Sequence, residues 1–250
     1  MRFIEGTIFM TTTYKQKTVM ITGAGGALGR VVAQYFAQQG ARLVLVDRSK
    51  EVLQALMDEY RVPKARYLLA VADLGKPAEV DKVVRAVERR FKTIDLLTHI
   101  AGGFTMGDPV HTAPLDVFTQ MMYINAQVTF VTCGRVARHM VEKSVKGSIV
   151  AILAKAGQHG ARKMGAYTAS KAAAERIIQS MALELRENDI RVNGIMPSTI
   201  DTPANRRDMP TADFNKWVTP QQIADIVAFL GSDAASAITG DSLEVYNKML

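Results

Sequence analysis

The stretch Thr18-Val19-Met20-Ile21-Thr22-Gly23-Ala24-Gly25-Gly26-Ala27-Leu28-Gly29 decides the fold of this chain. It opens as a short buried-strand run bounded by Gly23, then passes through a cluster of glycines. From Leu28 apolar residues recur at helical spacing (Leu28, Val31, Val32, Tyr35, Phe36) until Gly40, a glycine placed to end the helix. A strand that turns through glycines into a helix gathers free backbone N–H groups and the positive helix end at one point. A pyrophosphate can be held there. An ordinary tight turn has the same glycines, so the context decides: a strand before, a helix after, and an acid downstream. Asp47 is that acid, eighteen residues beyond Gly29 at the end of the next apolar run, Arg42–Val46.

Outward from this unit the same alternation continues. Helical patterns cover Val52–Tyr60, Val80–Phe91, a stretch within Leu115–Lys143, Ala169–Arg186 and Ile223–Leu230. Strand patterns cover Tyr67–Val71, Leu96–Ile100, Ser148–Leu153, Arg191–Ile195 and Ser242–Val245. Seven strands alternating with helices predict a Rossmann-type α/β fold, a doubly wound, parallel seven-stranded sheet with helices on both faces. No repeat or linker divides the chain, so one domain is expected over residues 18–250, with residues 1–17 as an N-terminal extension and Met10 as an alternative start.

Composition narrows the function classes. The 250 residues are 48% hydrophobic and 22% charged, which excludes a disordered or collagen-like chain. No apolar run approaches the roughly 20 residues of a membrane span, and Met1–Phe9 lacks the apolar core of a secretory signal. A single cysteine, Cys133, forms no internal disulfide and points to a reducing, cytoplasmic compartment, with its side chain in the core or a subunit interface. The formal net charge is +7, yet no unbroken Lys/Arg block marks a nucleic-acid arm. An anionic small molecule is the simpler partner, with neither nucleic acid nor membrane expected. His99 and His159 have no partner at ligand spacing, so no metal site is expected.

At the nucleotide end, Asp47 can accept hydrogen bonds from ribose hydroxyls and repel a 2′-phosphate, which favours NAD over NADP. Arg48 beside it keeps NADP as the alternative. Asp73-Leu74, after the third strand, either packs by an adenine or caps the next helix. At the other end, Tyr167 and Lys171 stand four apart on one helix face. An ammonium there can lower a phenol from its ordinary ~10, so that it exchanges protons near neutral pH.

Four features together resemble the short-chain dehydrogenases/reductases: the glycine loop with Thr22, the pair Ala101-Gly102, Asn125, and Tyr167-x-x-x-Lys171. The resemblance runs from Thr18 to Val245. It implies Tyr167 as acid/base, Lys171 as tyrosine tuner and ribose ligand, and Asn125 as the holder of a water in a proton relay. It further implies a cofactor site of Thr22, Gly23, Gly25, Ala27, Leu28, Gly29, Asp47, Arg48, Asp73, Leu74, Ala101 and Gly102, together with Tyr167, Lys171, Pro197, Ile200 and Thr202. A homodimer or homotetramer, paired through the Leu115–Lys143 and Tyr167–Arg186 helices, is implied as well.

The departures from the family are specific. Its usual serine, thirteen residues before the tyrosine, is Ala154 here; Ser148 lies at the wrong end of that strand. Ala27 replaces a loop glycine, and His99-Ile100 replaces the asparagines that usually precede Ala-Gly. These features, with Ala101-Gly102-Gly103-Phe104 and the loop Thr199–Trp217, are similar to those of quinonoid dihydropteridine reductases, whose activated ring depends less on a serine donor. The resemblance thus implies hydride transfer between nicotinamide and a small carbonyl, alcohol or reducible ring. A 3-oxoacyl-thioester reductase and a catalytically weak dinucleotide binder are the alternatives. Lys155, Arg162 and Lys163, with Gln158 and His159, form an acid-free segment before Tyr167 that either attracts an anion or is simply solvated. Trp217 is either a lid over the substrate or a core anchor.

Overall fold

The computed structural model describes residues 14–249. The choice of Met10 as a start falls outside them. The seven strands are β1 (Thr18–Thr22), β2 (Arg42–Asp47), β3 (Tyr67–Val71), β4 (Leu96–His99), β5 (Ser148–Ile152), β6 (Arg191–Pro197) and β7 (Ser242–Val245). All pair in parallel, in the order β3-β2-β1-β4-β5-β6-β7. The order reverses between β1 and β4, and a doubly wound sheet opens a crevice at the carboxyl ends of the strands flanking such a point.

The longer helices are α1 (Ala27–Gln38), α2 (Lys50–Glu59), α3 (Pro77–Phe91), α4 (Leu115–Met121), α5 (Val128–Glu142), α6 (Gly165–Glu184), α7 (Pro203–Asp208) and α8 (Pro220–Gly231). They cover both faces of the sheet, which is why the central strands read as unbroken apolar runs. Along β1, Val19 and Ile21 enter one core with Phe36, Leu53 and Val227 from α1, α2 and α8. Met20 enters the other, with Val87, Met140 and Ile178 from α3, α5 and α6. Cys133 is fully buried in this second core, where desolvation raises its thiol pKa. Tyr14 also belongs to the fold. Its ring packs edge-on against Phe36 at 4.7 Å, and its hydroxyl donates to the Ala228 carbonyl at 2.6 Å.

The expected long helix over Leu115–Lys143 is present but interrupted. Between α4 and α5, residues Met122–Gln127 form a π-helical turn that carries Asn125. Such a turn widens the helix locally and is frequent at functional sites.

Candidate active site

The glycine loop joins β1 to α1 under two steric demands. Gly23 has φ +64°, the left-handed region, and a Cβ at Gly29 would overlap the Gly23 carbonyl. Ala27, by contrast, is the exposed first residue of α1, where a methyl group meets no crowding in the helix, and Leu28 turns into the core. No side chain caps the N-terminus of α1, and no acid lies in its first turn. Its free N–H groups and positive end therefore face the crevice unopposed. Helix α8 shows the contrast, for Thr219 and Gln222 close its first turn with a reciprocal capping box. Asp47, at the end of β2, accepts the Gly25 N–H at 2.8 Å and the Arg48 N–H at 2.7 Å, while Arg48 itself is exposed.

Across the crevice, Tyr167 and Lys171 lie in the first two turns of α6. Lys171 is buried and its ammonium donates to the Ile152 carbonyl at 3.1 Å. Burial presses its pKa down to about 8. Burial also pushes the Tyr167 phenol up to about 12, against the lowering expected from the ammonium alone. The Phe104 ring meets the Tyr167 ring edge-on at 4.9 Å and is itself largely exposed. A Cβ at Gly102 would stand 2.8 Å from Asn125 Oδ1 and 3.5 Å from Lys171 Nζ, so the glycine leaves these groups room.

Asn125 binds protein partners through both ends of its amide. Its Oδ1 accepts from Gly103 N–H at 3.0 Å, and its Nδ2 donates to the Gly103 carbonyl and to Ser170 Oγ, each at 3.0 Å. Ser170 in turn donates to the Tyr167 carbonyl at 2.7 Å. Thr22 is equally engaged: its oxygen accepts the Ile100 and Ala101 N–H groups at 3.0 and 3.1 Å. The fully buried His99 lies 3.1 Å from Thr22 Oγ1 through Nδ1 and 3.2 Å from Thr129 Oγ1 through Nε2. The sequence marked His99 as an unusual residue, but nothing local in it placed the ring between those two threonines.

Other candidates fall nearby or turn elsewhere. Asp73 accepts the Tyr123 hydroxyl at 2.6 Å and the Gly75 N–H at 3.2 Å, and the Tyr123 bond holds its carboxyl below the usual range. It does not cap α3, whose first turn follows Lys76, and Leu74 is buried in the core. Pro197 ends β6, the Ile200 carbonyl accepts from Asn205 Nδ2 at 2.8 Å, and Thr202 caps α7 through Asn205 N–H. Ala154 is buried just beyond β5. Ser148, at the other end of that strand, donates to the Leu230 carbonyl.

Tertiary structure bears on two readings that the sequence left open. The Lys155–Lys163 segment is acid-free in sequence but not in space, because Gln158 donates to Glu244 at 2.8 Å. Lys155 sits over the Tyr246 ring at 4.1 Å and reaches the Met249 carbonyl, while the segment's other basic residues, His159, Arg162 and Lys163, are exposed. Trp217 is an anchor and not a lid: it is buried, packed on Phe214 at 4.8 Å, with Asn247 donating to its carbonyl.

The family model of short chain dehydrogenases matches residues 17–213. The chain belongs to the short chain dehydrogenase family. Every candidate residue from Thr22 to Thr202 lies inside that match. Among its relatives within the family is (2S)-[(R)-hydroxy(phenyl)methyl]succinyl-CoA dehydrogenase subunit BbsD of Thauera aromatica, 32% identical over 92% of this chain and 95% of that one. A solved NAD+-bound xylitol dehydrogenase superposes with a TM-score of 0.86 at 27% identity, covering 94% of this chain and 99% of the other. A gluconate 5-dehydrogenase from Burkholderia cenocepacia, solved with NADP and tartrate, gives 0.86 at 25% identity over 96% and 97%. These similarities fit the family at large and do not single out the dihydropteridine reductase branch. Among the described residues, no helix is long and apolar enough to cross a membrane.

Proposed function

We propose that the chain is an NAD(H)-dependent oxidoreductase acting on a small carbonyl, alcohol or reducible ring, with Tyr167 as acid/base. The observation that carries this reading is the convergence of Asn125 Oδ1 and Lys171 Nζ on Gly102, whose neighbour Ala101 lies against Gly23 of the glycine loop, with Tyr167 one turn before Lys171 on α6. The uncapped end of α1 and the Gly23–Gly29 turn fit a pyrophosphate, and Asp47 at the end of β2 fits an unphosphorylated ribose. Thr22, Ala101 and Gly102 would border the nicotinamide half, with Ile200 and Thr202 on its carboxamide side. The bound nicotinamide supplies or accepts the hydride.

The chain's own residues handle the proton. In the reducing direction Tyr167 Oη gives its proton to the substrate oxygen as the hydride reaches the neighbouring carbon; oxidation reverses both transfers. Lys171, charged below pH 8, stabilises the phenolate that remains. Asn125 holds Gly103 and Ser170 in place beneath the site, a positioning role supported by its three hydrogen bonds to them. Ala154 offers no hydroxyl, so Tyr167 polarises the substrate oxygen without a serine.

Assembly is proposed as a homodimer or homotetramer through α5 and α6, where Phe130 (67% exposed) and Leu183 (62% exposed) leave apolar surface in solvent. A monomer by light scattering would refute this arrangement.

The decisive test is NADH titration with turnover of a carbonyl and dihydropterin panel by wild type and Tyr167→Phe. The variant should bind NADH within about twofold of wild type and lose turnover by at least ~10². Retained turnover would overturn the role of Tyr167. Tight NADH binding with no turnover on any substrate would favour the weak-catalysis alternative, and a dominant acyl-thioester rate would favour the thioester reductase.

A further inference from the structure

A hydrogen-bonded path of side chains links the two halves of this crevice, and His99 is its central member. We propose that His99 is a positioning residue that couples the glycine loop to the helix carrying Tyr167, through Thr22 on one side and Thr129 on the other. The inference rests on the cofactor reading above.

Donor and acceptor accounting fixes the direction of the path. Thr129 Oγ1 donates its only hydrogen to the Asn125 carbonyl at 2.6 Å. It can then only accept from His99, so the imidazole carries its hydrogen on Nε2. Nδ1 is left as an acceptor, and the Thr22 hydroxyl fills it at 3.1 Å. The remaining Thr22 lone pairs take the Ile100 and Ala101 N–H groups. Each group is used once. Burial and the nearby Lys171 charge hold the ring at a pKa of about 3, so it stays neutral and keeps this tautomer across the working pH range.

From Asn125 the path continues through Ser170 to the backbone of Tyr167. It therefore joins the turn that would face the pyrophosphate to the proposed acid/base, with covalent bonds making the one step across Asn125, from its main-chain carbonyl to its side-chain amide. A residue serving only to fill the core has no need of two polar nitrogens, since an aliphatic side chain would avoid their desolvation. The π-turn adds a reason for the second bond: in that irregular backbone Thr129 supplies the Asn125 carbonyl with a side-chain donor.

Two substitutions separate the ends of the ring. His99→Asn keeps an acceptor at the δ position, facing Thr22, and has nothing at ε. His99→Gln places an amide at ε, facing Thr129, and leaves Thr22 unpaired. The expected result with NADH and the best substrate is a split. His99→Asn keeps the NADH Kd within about twofold and lowers kcat about tenfold; His99→Gln raises Kd about tenfold and keeps kcat within about twofold, the range of one lost hydrogen bond. Thr129→Val, which leaves His99 in place, should reproduce the kcat loss, and Thr129→Ser should restore it. Combining His99→Asn with Thr129→Val should add nothing further.

Amide hydrogen exchange gives a readout independent of turnover. His99→Asn should speed exchange at residues 122–129 and spare residues 100–101; His99→Gln should do the reverse. Equal losses of Kd and kcat in both variants, with exchange raised uniformly, would overturn the proposal and make His99 a structural residue. The exchange split without NADH binding by the wild type would uphold the coupling and overturn the cofactor reading instead.

Discussion

Asp47 accepts the Gly25 N–H at 2.8 Å, so one carboxylate ties the end of β2 to the glycine loop. The same carboxylate is the group proposed to meet the ribose, and it acts on both the shape and the charge of the pocket. Asp47→Asn keeps an oxygen for Gly25 and removes the charge. It should weaken NADH binding by a few fold and strengthen NADPH binding, because a 2′-phosphate no longer meets a carboxylate. Asp47→Ala removes both and should also lower stability by about 1 kcal/mol. Titration with the two cofactors and urea melts separate these effects. Equal NADH and NADPH affinities in the wild type would refute the proposed preference.

Lys171 and Tyr167 give the stability a defined pH dependence. Burial lowers Lys171 from its ordinary 10.5 to about 8, so between those values the unfolded chain binds a proton that the folded chain has released. Stability contributed by this group therefore rises with pH over 8 to 10.5, by at most about 1.4 kcal/mol per pH unit, and the burial cost is fully present below 8. Tyr167 has the opposite sign: raised from 10.0 to about 12, it keeps its proton in the folded chain and loses stability as pH climbs through that window. Lys171→Met should abolish the rising limb. Any stability advantage of the variant over wild type should shrink from pH 8 to 10; a constant difference in urea midpoints would contradict the assignment.

The parts of this site that were legible in the sequence are those set by neighbours along the chain. The strand-glycine-helix unit, the seven strands and the Tyr167–Lys171 spacing are local patterns, and the structure places each of those elements where the patterns put it to within a few residues. The hidden parts depend on distant partners. Lys155 read as a free cation because Tyr246 and Met249 lie some ninety residues away in sequence. Trp217 had two readings because only tertiary packing distinguishes an anchor from a lid. The π-turn was concealed because its residues are as helix-compatible as those around it, and His99 lies 77 residues from Thr22.

Gly29 tests the loop sterically. A methyl group there would overlap the Gly23 carbonyl and stand 2.8 Å from Ala24 Cα, both backbone positions in a turn with little room to yield. Gly29→Ala should cost about 1–3 kcal/mol, the range of overpacking, and weaken NADH binding more than Ala27→Gly does. A chain of this size loses roughly 2–4 °C in Tm per kcal/mol, which calorimetry resolves. An unchanged Tm would mean that the turn relaxes freely.

Ala154 tests how the substrate oxygen is polarised. It is buried directly after β5, at the position where the family resemblance implies a serine. Removing one donor from an oxyanion-type site costs about 10²–10³ in rate, so adding one should recover part of that factor wherever the substrate develops negative charge on oxygen. Ala154→Ser should therefore raise kcat/KM on simple ketones by about tenfold or more, with the gain in kcat. On a delocalised ring, whose charge spreads away from any single oxygen, the same substitution should change the rate less than threefold. Comparing the two substrate classes in one preparation cancels differences in active fraction, and equal gains on both would show that the missing hydroxyl carries no information about the substrate.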